Sequence, residues 1–203
     1  MDDSLRLGIP PISAHHEDRA MAADPESEWP PEAIYTVGHS TRAIEGFIAL
    51  LQQHGVQQLH DIRTIPRSRR NPQFNSEALA ASLAAVGISY RHTAELGGLR
   101  KPQRDSVNDA WRNDSFRGYA DYMQTAGFNA AVDELAEARQ QSRIALMCAE
   151  AVPWRCHRSL VGDALLARGV PVVEIVGPGS ARLHQMTKFA KVDGERITYP
   201  KDP

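Results

Sequence analysis

The sequence is poor in the features that would mark a specialised class. It holds two cysteines, Cys148 and Cys156, in 203 residues, too few for a disulfide-built secreted scaffold. No apolar run approaches the roughly 20 residues that a membrane-spanning helix requires. No N-terminal stretch joins a basic head to an apolar core, so no secretion signal is expected. Neither a Walker-type run nor G-x-G-x-x-G occurs, which removes the usual phosphate-loop and dinucleotide fingerprints. The net charge of −2 is far from that of a DNA-coating protein. What remains is a soluble globular chain, expected in the cytoplasm, with length enough for one well-cored domain.

Charge is present but unevenly placed. Residues 1–33 carry eight acids and two bases, a net of −6, which leaves 34–203 at +4. That acidic head contains Pro10, Pro11, Pro25, Pro30 and Pro31 and shows no apolar periodicity. It has too little apolar surface to offset the entropy of ordering, and disorder is expected there. Residues 34–203 are read as a single α/β domain.

From residue 34 onward short apolar runs alternate with helical patterns. Strands are predicted over 34–37, 59–62, 88–92, 144–147 and 172–176. Helices are predicted over 76–86, 116–123, 128–140 and 159–168, with Gly127 as a break. An earlier helix carries Ile44, Phe47, Ile48 and Leu51 on one face, with Ser40 or Thr41 as its cap and Gly55 at its end. Residues 93–115 read as a long loop, functional or mobile. Residues 182–203 are basic and ambiguous. Strands that are apolar on both faces and alternate with helices point to a three-layer α/β sandwich with a mostly parallel sheet of about five strands.

In such sheets ligands bind beyond the carboxyl ends of the strands. The residues expected there carry chemistry. His39 and Ser40 follow the first strand. Asp61, Arg63, Arg67, Ser68 and Arg69 follow the second, and Cys148, Glu150, Cys156, His157 and Arg158 follow the fourth. A cysteine between a strand end and a helix start can become a thiolate, because the helix terminus and nearby arginines favour its charge. Tyrosine phosphatases and rhodaneses share that layout. Here Arg155 lies seven positions beyond Cys148, and no glycine stands between them, so a tight ring of backbone amides is not expected and the likeness is one of layout only. Arginine forks suit phosphate or carboxylate oxygens. A metal reading joins Cys148, Cys156 and His157 with His39 or Asp61 as a fourth ligand, although no C-x₂-C spacing supports it. The bland readings are a buried free thiol for Cys148, a solvated loop for the arginines, and core packing for Tyr90, His92, Phe116, Tyr119 and Met123. Gly97-Gly98 reads as a turn that lets backbone approach a ligand.

Taken together these stretches resemble the uncharacterised bacterial and archaeal family called domain of unknown function 488. The resemblance rests on Tyr35-Thr36-Val37-Gly38-His39-Ser40, on Asp61-Ile62-Arg63 with Pro66-Arg67-Ser68, and on Tyr90-Arg91-His92 with Leu96-Gly97-Gly98. It rests further on Tyr119-Ala120 with Tyr122-Met123, and on Cys148-Ala149-Glu150 with Cys156-His157-Arg158. It implies a soluble single-domain α/β fold and no established activity, with the acidic head as an addition to the common core.

The leading expectation is an enzyme, a hydrolase or group transferase acting on an anionic, phosphate-containing substrate. Cys148 or Cys156 would be the nucleophile and Glu150 or His157 the acid–base partner. Asp61 would orient Arg63 or a histidine. Arg63, Arg67, Arg69 and Arg158, with Ser68, His39 and Ser40, would hold the anion. The alternatives are a non-catalytic nucleic-acid or nucleotide binding module and a thiolate metal or redox site. The sequence assigns no cofactor and no oligomeric state.

Overall fold

The structure is a computed structural model that describes residues 29–201. Most of the head expected to be disordered lies outside the described residues. Of its last residues, Ala33 is buried and Glu32 pairs with Arg139.

In chain order the elements are β1 (Ile34–Gly38), α1 (Ile44–Gln53), β2 (Gln58–Asp61), α2 (Ser76–Ala84), β3 (Ser89–His92), α3 (Asp114–Tyr122), α4 (Ala126–Ala138) and β4 (Ile144–Cys148). There follow α5 (Arg158–Ala167), β5 (Val172–Gly177), β6 (Ser180–Leu183), β7 (Lys191–Asp193) and β8 (Arg196–Thr198). The main sheet has the order β3-β2-β4-β1-β5-β6. The first five of these strands run parallel, and β6 returns antiparallel on β5.

Strand alternation sorts the side chains into two cores. Ile34, Ile144, Leu146 and Cys148 face α3, α4 and α5, where they meet Tyr119, Phe128, Leu135 and Leu160. Tyr35, Val37, Leu59, Ala145 and Met147 face α1 and α2, against Phe47, Leu51, Leu79 and Leu83. Strands buried on both sides need no polar alternation, which is why they read as plain apolar runs. The chain leaves β1 toward one helical layer and β4 toward the other. These neighbouring strands therefore open a crevice at their carboxyl ends.

Local boundaries differ from the expected ones for identifiable reasons. Ser40 does not cap α1. Ala43 stands at the cap position without a side-chain bond, while Ser40 takes a left-handed φ of 50° and donates its backbone N–H to the Ala149 carbonyl. Gly127 is no break. It lies inside α4, and the break falls just before, where the Thr125 hydroxyl accepts the Phe128 amide. The loop after β3 is pinned by buried Asp121, which accepts bonds from the Gln103 amide, the Ser106 hydroxyl and the Asn108 side-chain amide.

The ambiguous C-terminal stretch resolves into β6, the β7–β8 hairpin and a polar knot. His184 sits between Asp163 of α5 at 2.9 Å and Glu174 of β5 at 2.8 Å, and its ring packs on Gly162. Tyr199 donates its hydroxyl to Asp163 at 2.9 Å, as does the Thr187 amide at 3.0 Å, and Arg182 donates to Glu174. Burial works against a charge on His184, but its bonds to Asp163 and Glu174 outweigh it and push the imidazole up to about 9. Among the described residues no helix is long and apolar enough to cross a membrane.

Candidate functional site

A cavity of about 730 Å³ opens over the carboxyl ends of β1, β2 and β4, within the roughly 300–1,000 Å³ usual for small-molecule sites. His39, Ser40, Arg63, Arg67, Ser68, Cys148, Glu150, Cys156 and His157 all line it. Three other candidates do not. Asp61 lies beneath the floor, Arg69 is not part of the lining while Arg70 and Arg155 are, and Arg158 is committed to the protein itself.

The floor is a chain of fixed polar groups. Asp61 is fully buried and accepts the Arg63 amide at 3.1 Å, the Arg63 Nε at 2.8 Å and the Tyr90 hydroxyl at 2.8 Å. Arg63 also donates through Nη2 to the Asp61 carboxylate and the Phe74 carbonyl, and through Nη1 to His39 Nε2. Its fork thus serves to orient the floor, with four of its five N–H donors taken up by these bonds. His39 donates Nδ1–H to the Ser40 carbonyl at 2.8 Å and accepts from Arg63, with its ring stacked on Phe74 at 4.2 Å. Burial holds this imidazole down at about 4, so it is neutral at pH 7. Tyr90 and His92, expected as core packing, brace the same floor: Tyr90 through Asp61, and His92 through the Arg63 carbonyl.

The fourth strand supplies the sulfur. Alternation along β4 turns Cys148 toward α5, and the loop 149–157 brings Cys156 to the start of that helix. Gly38 makes this approach possible, since any Cβ there would strike the Glu150 carbonyl. Arg158, 1% exposed, closes the loop by donating to the Glu150 carbonyl at 2.5 Å and the Ala151 carbonyl at 2.9 Å. An arginine expected to grip substrate is therefore an internal clamp.

The two sulfurs and one imidazole converge. Cys148 Sγ lies 4.0 Å and Cys156 Sγ 3.9 Å from His157 Nδ1. All three donor atoms fall within 4.8 Å of one another. His157 Nε2 lies 3.1 Å from the Ile62 carbonyl. A carbonyl only accepts, so Nε2 carries the proton and Nδ1 turns its lone pair on the sulfurs. Tyr119 packs on the ring at 4.8 Å, and Gly98 seats it from the other side, where a Cβ would lie 2.9 Å from Nδ1. The hydrogen bond with Cys148 lowers the Cys156 thiol to about 7, against the effect of burial, with help from the Arg158 charge and its amide 3.5 Å away. Cys148 is pushed up by the same bond and by its burial. Neither His39 nor Asp61 joins this cluster as a fourth ligand.

Around the mouth, Arg67, Arg70 and Arg155 are exposed, and among the described residues their guanidinium groups make no ion pair. Glu150 is the acid exposed at the same rim. Arg70 and Arg155 were not among the anion-binding candidates read from the sequence, because an irregular loop has no period from which to read which arginine faces inward. The Ile62 carbonyl, which fixes the imidazole, was equally invisible, since a backbone acceptor carries no residue signature, whereas Gly98 was read as a turn that lets backbone approach a ligand and in the structure approaches the His157 ring.

Fold and site define an open, doubly wound α/β domain with a thiol–imidazole cluster at its switch-point cavity. A family profile for the domain of unknown function 488 matches residues 43–165, more than half the chain, and the protein belongs to that family. No curated protein and no solved structure matches the chain.

Proposed function

We propose that the protein is an enzyme, a hydrolase or group transferase, acting at this cavity on a small anionic substrate that carries phosphate. The supporting observation is one juxtaposition: three arginines that make no ion pair among the described residues stand around a cavity lined by two cysteines and a tautomerically fixed histidine. Arg67, Arg70 and Arg155 hold the anionic group, and Ser40 and Ser68 add hydroxyl donors. The Cys148–Cys156–His157 cluster is the reactive centre. Arg63, Asp61 and Tyr90 position the floor without touching substrate. A concave site of this size favours a small molecule over the long phosphate track of a nucleic acid, which would call for a basic strip. Two buried free thiols in a reactive centre suit the reducing cytoplasm.

The test is calorimetric titration of inorganic phosphate and pyrophosphate into wild-type protein and into Arg67→Ala, Arg70→Ala and Arg155→Ala. A charge-assisted bond to a phosphate oxygen is worth about 1.5–3 kcal/mol, so each loss should weaken binding about 10- to 100-fold. A panel of phosphoesters then asks for turnover that Cys156→Ser abolishes. Absent anion binding, or binding indifferent to all three substitutions, defeats the reading.

A further inference from the structure

We infer that Cys148, Cys156 and His157 form a three-ligand zinc site whose fourth position opens into the arginine-rimmed cavity. This deepens the proposed function and rests on it for the nature of the substrate.

The donor set is the first argument. Two thiolates and an imidazole are the ligands that select zinc among common divalent ions, and three protein ligands with one open position are the pattern of catalytic zinc. The geometry is the second. Zinc at about 2.3 Å from sulfur and about 2.0 Å from nitrogen, in a tetrahedron, sets sulfur and nitrogen about 3.5 Å apart. The two sulfurs lie 4.0 and 3.9 Å from Nδ1, and all three donor atoms fall within 4.8 Å of one another, so rotamer adjustments of about an ångström or less close the site.

The third argument is the surroundings. A zinc-ligating histidine normally donates its other N–H to a carbonyl or carboxylate, which fixes the ring and leaves the ligating nitrogen bare. His157 does this through Ile62, and its ring lies so close to Gly98 that no side chain fits between them. Cys156 Sγ accepts the Arg158 amide at 3.5 Å, a bond that supports a ligating sulfur. The fourth position is left to solvent or substrate, and the two fourth ligands that the sequence offered are occupied elsewhere. His39 Nε2 takes a bond from Arg63, and Asp61 is locked by Arg63 and Tyr90.

Zinc there lowers the pKa of a bound water to about 7. The hydroxide attacks the phosphorus of an ester held by the arginines. One P–O bond forms to the hydroxide, the P–O bond to the leaving group breaks, and the leaving oxygen recovers through solvent the proton that the water released. The sum is the addition of one water across the ester.

The experiment uses the full chain, reduced, stripped with chelator and desalted without oxygen, then titrated with Co²⁺. Expected are saturation at one equivalent, thiolate-to-cobalt bands in the near ultraviolet and the intense visible bands of tetrahedral cobalt, all bleached by Zn²⁺. Cys156→Ser and His157→Ala should each weaken Co²⁺ by more than about 100-fold, beyond what loss of an outer-shell partner costs. Should those variants fail to fold, the wild type decides alone: bound Zn²⁺ should abolish alkylation of Cys148 and Cys156 together, and chelator should restore it. No tetrahedral bands, or alkylation indifferent to Zn²⁺, overturns the site. Phosphate binding by metal-free protein separates the two ideas. Anion binding without metal binding removes the zinc site and keeps the arginine cavity, whereas metal binding without anion binding does the reverse.

Discussion

The His184 knot turns pH into stability, and its size can be worked from the structure. The imidazole titrates near 6.5 in an unfolded chain and near 9 when held between Asp163 and Glu174. A folded value above the unfolded one means a contribution that is complete below pH 6.5. It fades as pH rises through 9. The shift corresponds to about 3 kcal/mol. The groups facing His184 are Asp163 from α5 and Glu174 from β5, with Arg182 on Glu174 and Tyr199 on Asp163. Their signs differ from that of His184. Burial opposes the Glu174 charge, but His184 and Arg182 hold its carboxyl below the usual range, so its contribution is present above about pH 4.5 and is lost on acidification. Burial, then Asp163, push Tyr199 far up, which destabilises the fold only above pH 10, where an unfolded tyrosine ionises. Within the knot the slope between pH 6.5 and 9 therefore belongs to His184; outside it Cys156, held down at about 7, contributes a slope of opposite sign over the same range. Urea denaturation of wild type and His184→Gln across that window should show the stability difference between the two proteins falling by about 3 kcal/mol, since the Cys156 contribution is common to both. Parallel profiles for the two proteins would refute the reasoning.

Two further outcomes follow from close contacts. Gly98→Ala places a methyl 2.9 Å from His157 Nδ1, which should cost about 1–3 kcal/mol in denaturant unfolding and alter the alkylation rates of Cys148 and Cys156; unchanged rates would mean the ring is not seated by this glycine. Arg158→Met leaves the Glu150 and Ala151 carbonyls without their donors and should cost about 2–4 kcal/mol, with phosphate affinity per folded molecule largely retained, whereas an anion-gripping Arg158 would show the opposite pattern.

The sheet was legible because β1 and β4 are buried on both faces, which imposes apolar runs that no other element explains. The sixth strand was not. β6 is exposed on most of its length, and an edge strand has no obligatory pattern. Strand ends also led to the cavity, since the crevice rule depends on topology alone. What failed was the direction of individual side chains. Arg158 and Arg63 are as cationic as Arg70, yet buried carbonyls and a buried carboxylate claim them first, because an uncompensated buried acceptor costs more than a surface anion returns. Ser40 has the right chemistry for a helix cap, but the Ala149 carbonyl from a neighbouring loop takes its backbone into a conformation from which it cannot cap α1.

The strand order carries a consequence for biosynthesis. β1 is the first strand to be made, yet it lies between β4 and β5, with Tyr35 in register with Ala145 and Val173. On the ribosome β2 and β3 can pair soon after they emerge, whereas β1 has no neighbour until nearly the whole chain has been translated. Ile34, Tyr35 and Val37, among the most deeply buried side chains of the finished domain, spend that interval exposed or in makeshift company. Parallel, long-range pairing is intrinsically slow, and a nascent apolar strand without a partner invites aggregation. The central position of β1 gives the mature sheet its crevice. It also makes the early chain a natural client for a chaperone that shields apolar segments until the second half of the sheet arrives.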